Sequence, residues 1–280
     1  GAKRAHGTYQ ALAEDPDIDV IYVATPHPMH RPDSLLCMSA GKAVLCEKPI
    51  TVNAAECAEL IAAARGKPIF LMEGMWTRFL PAIVKLRELL AKGVIGEPRM
   101  VTADFGFRGG WDPKSRTLDP SYAGGGLLDV GCYVVALAYM VLGRPTRATG
   151  AAHLGETKVD EQAAVVLEHP GGGLSLLSCA VRTNTPWEAR IDGTEGRIRV
   201  PMFWCADELH LEADGKPVET IRAPREGHGF SYEASEVGRC LRKGLYESEV
   251  MPLDESLHIM QTLDELRRQF GLTYPMERSP

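Results

Sequence analysis

The first quarter of the chain alternates two hydrophobic patterns. IDVIYVAT (18–25) is an unbroken apolar, β-branched run, which predicts a strand covered on both faces, and Pro26 and Pro28 stop it. PDSLLCMSAG (32–41) has apolar residues at helical spacing and ends on Gly41, a residue suited to the position just past a helix. KAVLC (42–46) predicts a second short buried strand. VNAAECAELIAAARG (52–66) predicts a helix of strong formers, capped by Asn53 and closed by Gly66, and PIFLMEG (68–74) a third buried strand. Strands alternating with helices predict parallel βαβ units.

Near residue 74 the pattern changes. RFLPAIVKLRELLAKG (78–93) predicts a helix with Pro81 in its first turn, EPRMVTADFGF (97–107) a strand, and GLLDVGCYVVALAYMVLG (126–143) a long apolar helix. Paired strand patterns follow, joined by hairpin-like PGGG (170–173), DGTEG (192–196) and ADGK (213–216). Leu174, Leu176 and Val181 fall at outward positions of this sheet, and two helices, near 231–243 and 254–270, finish the chain. The expected fold class is therefore α/β. A parallel βαβ part over 1–73 is followed by an α+β part, 74–280, built on a large antiparallel sheet.

Composition narrows the field. With 45% hydrophobic and 24% charged residues, the chain is ordinary globular protein. A net charge of -6 gives no electrostatic case for nucleic acid or an anionic membrane surface. No apolar run approaches the ~20 residues of a membrane span, and no signal peptide opens the chain. The seven cysteines are odd in number and scattered, without a CxxC pair. They read as buried thiols in a reducing, cytoplasmic compartment, with no metal.

The stretch AVLCEKPIT (43–51) raises the question of chemistry. Lys48 ends a buried strand and precedes Pro49, at the end of an open α/β sheet where ligands bind. Asp129 and Tyr133 are four apart and so share a helix face, and Asp129 stands in the first turn after Gly124-Gly125-Gly126, where the helix dipole favours a carboxylate. Taken singly, each has a bland explanation: a surface lysine, a helix-start charge, a core tyrosine. His27 and His30 have HxxH spacing, but no third ligand lies near and Pro28 spoils a helical presentation, so no metal site is expected. Trp76, Phe79, Phe105 and Trp111 are candidates either for core packing or for the wall of an apolar site.

DIDVIYVATPHPMH, AGKAVLCEKP, PIFLMEGMWTRFLP and GGGLLDVGCY, in this order, resemble the Gfo/Idh/MocA oxidoreductases, the glucose–fructose oxidoreductase and inositol dehydrogenase family. The resemblance runs over essentially the whole chain. Within the family, LMEGMWTRFLPA, GGGLLDVGCY and SYEASEVGRCLRKG resemble the dimeric dihydrodiol dehydrogenases, which also oxidise D-xylose with NADP. The resemblance implies a Rossmann domain followed by a domain with a large open-faced sheet. It implies hydride transfer between a nicotinamide and the carbinol carbon of a cyclic diol or aldose. It makes Lys48, Tyr133 and Asp129 the catalytic set, with Tyr133 and Asp129 filling a D-x-G-x-H/Y motif. It lays Thr25, Pro26, His27, His30, Glu47, Lys48, Pro49 and Arg78 along the cofactor and Trp76, Phe105 and Tyr133 around the substrate. It implies NADP, with NAD as the other possibility, and a homodimer formed through the open sheet face. In chemical terms, a tyrosine ionises near pH ~10, and a lysine cation beside it favours the phenolate that alcohol oxidation needs as a base.

The sequence departs from the family in one respect. The family opens with a strand, a G-x-G-x-x-G turn, a helix and a second strand, and no G-x-G-x-x-G occurs here. The chain begins at Gly1 without a methionine. The expectation is that about one βαβ unit of ~30 residues lies outside it, and the usual NAD/NADP determinant with it. By itself the chain is then expected to bind dinucleotide poorly and to expose a strand edge. The glycine turn's absence keeps a second reading open: a non-catalytic, dimeric ligand-binding or scaffold member that has lost cofactor binding. A third is a sister enzyme of the family, and Tyr133 in place of histidine weighs against inositol dehydrogenase.

Overall fold

The computed structural model describes residues 4–277. A short helix α1 (Tyr9–Ala13) precedes β1 (Val20–Val23), α2 (His30–Ser39), β2 (Ala43–Glu47), α3 (Ala54–Gly66) and β3 (Leu71–Gly74). The three strands form a parallel sheet in the order β1-β2-β3, with Val23 beside Cys46 and Glu47 beside Gly74. Local chemistry sets the ends. Asn53 caps α3 by accepting the Glu56 N–H at 2.9 Å. Because the strands run the same way, the segments after Val23, Glu47 and Gly74 emerge along one rim.

One expectation for this sheet needs correction. β2 is buried from Ala43 to Cys46, but β1 alternates: Ile21 and Val23 are buried while Val20 and Tyr22 are 37% and 45% exposed. β1 is the outer strand of the described sheet and α2 packs on one of its faces, so only every second side chain is covered.

A 3₁₀ turn, Trp76–Phe79, leads into α4 (Pro81–Ala91), which starts on its proline, and then β4 (Pro98–Gly106). The apolar segment expected to be one continuous helix opens instead as a π-helical turn, Leu127–Gly131, and continues as α5 (Cys132–Leu142). Seven strands follow: β5 (Arg147–Leu154), β6 (Asp160–Glu168), β7 (Leu174–Ala180), β8 (Ala189–Gly193), β9 (Gly196–Val200), β10 (Glu208–Ala213) and β11 (Glu219–Arg222). Then come α6 (Phe230–Arg242) and α7 (Leu253–Phe270). The strands from β4 onward form one sheet in the order β11-β10-β9-β8-β4-β7-β6-β5, antiparallel everywhere except between β4 and β7. The chain is thus α/β: a Rossmann-like parallel sheet followed by a larger, mostly antiparallel one.

α5 lies on β4 and β7. The helical segment Pro120–Leu142 has the length and apolarity of a membrane span, contrary to the expectation from sequence, yet 78% of its apolar window is buried, as befits the central core helix. On the sheet, Val166, Leu174 and Leu176 are about two-fifths exposed. Val181, expected beside them, is buried because the segment after β4 folds back over it, Gly109 N–H bonding its carbonyl at 2.9 Å. The seven cysteines are free thiols and all are buried.

Candidate active site

The rim at the carboxyl ends of β1, β2 and β3 is tied together by His30. Its Nδ1 lies 2.8 Å from the Pro49 carbonyl and its Nε2 2.7 Å from the Thr25 carbonyl. The Lys48–Pro49 peptide is cis. Lys48 leaves the rim and reaches the π turn opposite, where its Nζ donates to the Asp129 carbonyl at 2.7 Å and lies 3.5 Å from Asp129 Oδ1. The same ammonium stands 4.8 Å from the centre of the Tyr133 ring. Lys48, Asp129 and Tyr133, from segments far apart in sequence, therefore meet in one place.

The electrostatics follow from burial and from these contacts. Burial alone would raise the Asp129 carboxyl, but Lys48 and Arg116, whose Nη1 donates to Oδ1 at 2.8 Å, outweigh it and hold the group below the usual range. Burial disfavours the Lys48 ammonium, but its acidic neighbours Tyr133, Cys132 and Asp129 more than offset it, and Asp129, the one ionised at neutral pH, holds Lys48 charged. Tyr133 goes the other way from the expectation. Burial pushes its phenol up, and neither Lys48 nor the Trp76 indole N–H, which donates to its oxygen at 2.9 Å, cancels that effect. The reason is geometric: the Lys48 cation sits over the ring and directs its hydrogen bond to the Asp129 carbonyl, not to the phenol oxygen. His27, buried and near Lys48, is pushed down to about 3 and is neutral. Burial also lowers His30, against the opposing pull of the two carbonyls.

These groups line a cleft of about 660 Å³. Thr25, Pro26, His27, His30, Glu47 and Lys48 form its rim side, and Trp76, Phe105 and Tyr133 stand on the opposite wall. Two expected cofactor contacts are placed elsewhere. Arg78 is buried behind the wall, where its Nη2 donates to the Ala136 carbonyl at 2.7 Å and pairs with Glu255, leaving the guanidinium committed to the core. Pro49 is buried beneath the rim and offers its carbonyl to His30. Phe79 packs in the core, and Trp111 is exposed under the Arg182 guanidinium, 5.2 Å from its ring centre.

Several lining residues were not identified from the sequence: Arg116, Trp187, Trp204 and Phe230. Trp204 stacks on Phe105 at 5.3 Å, and Phe230 lies 4.8 Å from Trp76. All four lie in loops, in a 3₁₀ turn or at a helix start, where no periodicity marks them. Only their being large aromatics, or an arginine, just outside regular elements was available as a signal.

On its rim side the cleft offers one unused polar group: Thr25 Oγ1 is shielded and has no hydrogen-bond partner among the described residues. A ligand with polar edges lying along the rim would satisfy it. The residues present thus fit a dinucleotide laid along β1 and β2.

Comparison with known proteins agrees with this geometry. Residues 3–75 match the model of an oxidoreductase family with an NAD-binding Rossmann fold, and residues 83–199 match the GFO/IDH/MocA C-terminal domain. Trans-1,2-dihydrobenzene-1,2-diol dehydrogenase of Mus musculus is 42% identical over 282 residues, spanning 98% of this chain and 84% of the relative. The Homo sapiens protein of the same name is 40% identical over 283 residues, with the same coverage. Among solved structures, aldose-aldose oxidoreductase from Caulobacter crescentus in complex with glycerol superposes with a TM-score of 0.85 at 26% identity, covering 93% of this chain and 79% of that one. Levoglucosan dehydrogenase in complex with NADH and levoglucosan has a TM-score of 0.84 at 20% identity, covering 95% and 81%, a likeness of fold. Such identity, sustained along nearly the whole length, means that the chain belongs to the Gfo/Idh/MocA family of nicotinamide-dependent oxidoreductases.

Proposed function

We propose that this protein oxidises the carbinol carbon of a cyclic diol or an aldose, of trans-dihydrodiol or D-xylose type, with NADP in preference to NAD. The observation that carries this reading is the meeting of Lys48, Asp129 and Tyr133 at the strand rim, inside a cleft walled by aromatic rings. The dinucleotide lies along Thr25, Pro26, His27, His30, Glu47 and Lys48. When bound, the oxidised nicotinamide supplies the hydride acceptor and a further positive charge.

The chain's own residues do the rest. Tyr133, in its ionised form, takes the carbinol hydroxyl proton. Lys48 keeps a cation over the phenol ring and favours its ionised form. Asp129 holds that ammonium in place, and its own charge is secured by Arg116. Trp76 and Phe105 exclude water and offer flat faces to an apolar ring or to the C–H face of a sugar. The dinucleotide-binding part ends near residue 73 and the substrate part occupies 74–280. Two copies pair through the open face of the large sheet around Leu174 and Leu176, whose exposure leaves an apolar surface to cover. The working compartment is the cytoplasm.

The test is kcat/KM of the full-length protein for a trans-dihydrodiol or xylose with each dinucleotide. Lys48→Met and Tyr133→Phe should each lose ~10²–10⁴-fold, as expected for a positioned charge or acid–base group. The double variant should lose far less than the product, because the two act as a unit. Lys48→Arg should restore little, since a planar guanidinium does not replace a compact ammonium. Near-normal activity and an unshifted pH profile in Lys48→Met would overturn the mechanism. Dinucleotide or diol binding with no turnover of any alcohol would favour a non-catalytic binding protein.

A further inference from the structure

The geometry points to Trp76 as a positioning residue that sets the direction of proton transfer at Tyr133, an inference that rests on Tyr133 being the acid–base group. An indole N–H is a donor and has no acceptor lone pair. The Trp76 Nε1···Tyr133 oxygen contact of 2.9 Å is buried and has only one sense: the indole donates and the phenol oxygen accepts. The phenol's own hydrogen must therefore point elsewhere. No protein acceptor faces it among the described residues, and Tyr133 lines the cleft. The hydrogen is left aimed into the cleft, where the substrate oxygen binds. In the oxidative direction the phenol first gives up that hydrogen to the open cleft, and the phenolate lone pair it leaves receives the carbinol proton; a bound oxidised nicotinamide would be the hydride acceptor. In the reductive direction the O–H is already turned toward the carbonyl oxygen.

The surroundings of Trp76 hold it in this role. The indole is 5% exposed, lies 4.8 Å from the Phe230 ring and meets Trp204 edge-on at 6.1 Å. Gly229 backs it in a left-handed conformation, φ +90, and a Cβ there would come within 3.1 Å of the indole and 2.8 Å of Leu80. Phe230, Trp204 and the Gly229 backbone bracket the ring beside the phenol. A second indole, Trp204, lines the same cleft, yet its Nε1 has no hydrogen-bond partner among the described residues. The contact is thus specific to Trp76 and is not a general consequence of an aromatic-rich wall. A hydrogen bond donated to the phenolate also stabilises the charged form, in the same sense as Lys48.

The experiment compares Trp76→Phe, which keeps a ring and removes the N–H, with wild type. The midpoint of the kcat/KM profile that reports Tyr133 should rise by about one pH unit, a tenfold change in ionisation. kcat should fall more than KM rises. A raised KM with an unmoved midpoint would reduce Trp76 to packing and overturn the inference. Should Trp76→Phe fail to fold, wild type itself supplies the readout through the indole proton resonances. The Trp76 N–H should be protected from solvent exchange, and in Tyr133→Phe it should move upfield and exchange faster. An unchanged Trp76 resonance in Tyr133→Phe would show that no such bond exists. The two ideas fail separately: full activity in Tyr133→Phe would sink the acid–base assignment while leaving the resonance shift intact.

Discussion

Replacing Asp160 with asparagine should remove much of the loss of stability that the protein suffers between mildly acid and neutral pH. Asp160 opens β6 and is completely buried. Its Oδ2 accepts the Leu127 N–H at 2.6 Å, the amide that opens the π turn carrying Asp129, while Oδ1 has no partner among the described residues. Burial pushes this carboxyl up to about 7, against the opposing pull of the Leu127 amide and Arg267. The folded state therefore holds a proton that the unfolded chain releases near 3.8. The stabilising contribution is complete below the unfolded value and is lost as pH rises through the folded one. Each pH unit in that window costs about 1.4 kcal/mol per group, and about three units give a ceiling on the order of 4 kcal/mol. Glu233, also buried, is pushed up to about 8 by burial and by Glu47, and adds a slope of the same sign that ends about one unit later. Urea midpoints followed by tryptophan fluorescence should then fall steeply from pH 5 to 7 in wild type. In Asp160→Asn, whose amide oxygen still accepts from Leu127, the slope should be about half as steep, and above pH 7 the two proteins should run parallel. Equal slopes from pH 5 to 7 would show that Asp160 is not protonated in the fold, and the argument from burial would fail.

Three further outcomes follow from the structure. Arg78→Met should cost about 3 kcal/mol in unfolding free energy, because Glu255, partly buried at 14% exposure, loses its partner and the Ala136 carbonyl loses its donor; a change confined to dinucleotide KM would instead restore Arg78 as a cofactor contact. Gly125→Ala should lower the melting temperature measurably, since φ is +119 and the new Cβ would come within 2.1 Å of Asp160 Oδ1; calorimetry checks this, and an unchanged melt would contradict it. Leu176→Lys on the open sheet face should leave the fold intact by circular dichroism and convert a dimer to a monomer in sedimentation; a wild-type monomer at micromolar concentration would remove the basis for the proposed pairing.

What could be read from the sequence was whatever a short window encodes. The Ala43–Cys46 run is apolar on both faces and becomes a buried strand; Asn53 caps its helix through a contact three residues away. The order of the EKP and D-x-G-x-Y segments was enough to bring Lys48 and Asp129 to one cleft. The misses share a cause: they depend on partners distant in sequence. The family resemblance laid Arg78 along the cofactor, yet its fate is decided by Glu255 on α7. β1 looked like an interior strand because its residues are apolar, but coverage depends on what packs beside it. The π turn has the same composition as the helix it opens, so no pattern separates them. Trp187 and Trp204 join the cleft because the large sheet curls their loops against Phe105, at 6.4 and 5.3 Å. Tyr133's elevated phenol also depends on burial, which a window of residues does not report.

The single parallel pairing in the large sheet bears on how the molecule reaches its native state. β4 faces β7 with Met100 opposite Leu174 and Gly106 opposite Ala180, and the whole stretch bearing Asp129 and Tyr133 lies within the connection between them. That connection must close before the sheet has a centre, and closure of so long a loop is an entropic cost met early and recovered late. β5, β6 and β7 are joined by hairpins and can zip locally, as can β8 and β9. β4 has no such neighbour in sequence. Refolding should therefore show hairpin structure first and the helix-borne half of the cleft last, so that recovered activity lags recovered ellipticity. A chain stalled before that closure would carry Lys48 on its own strand end with nothing opposite it.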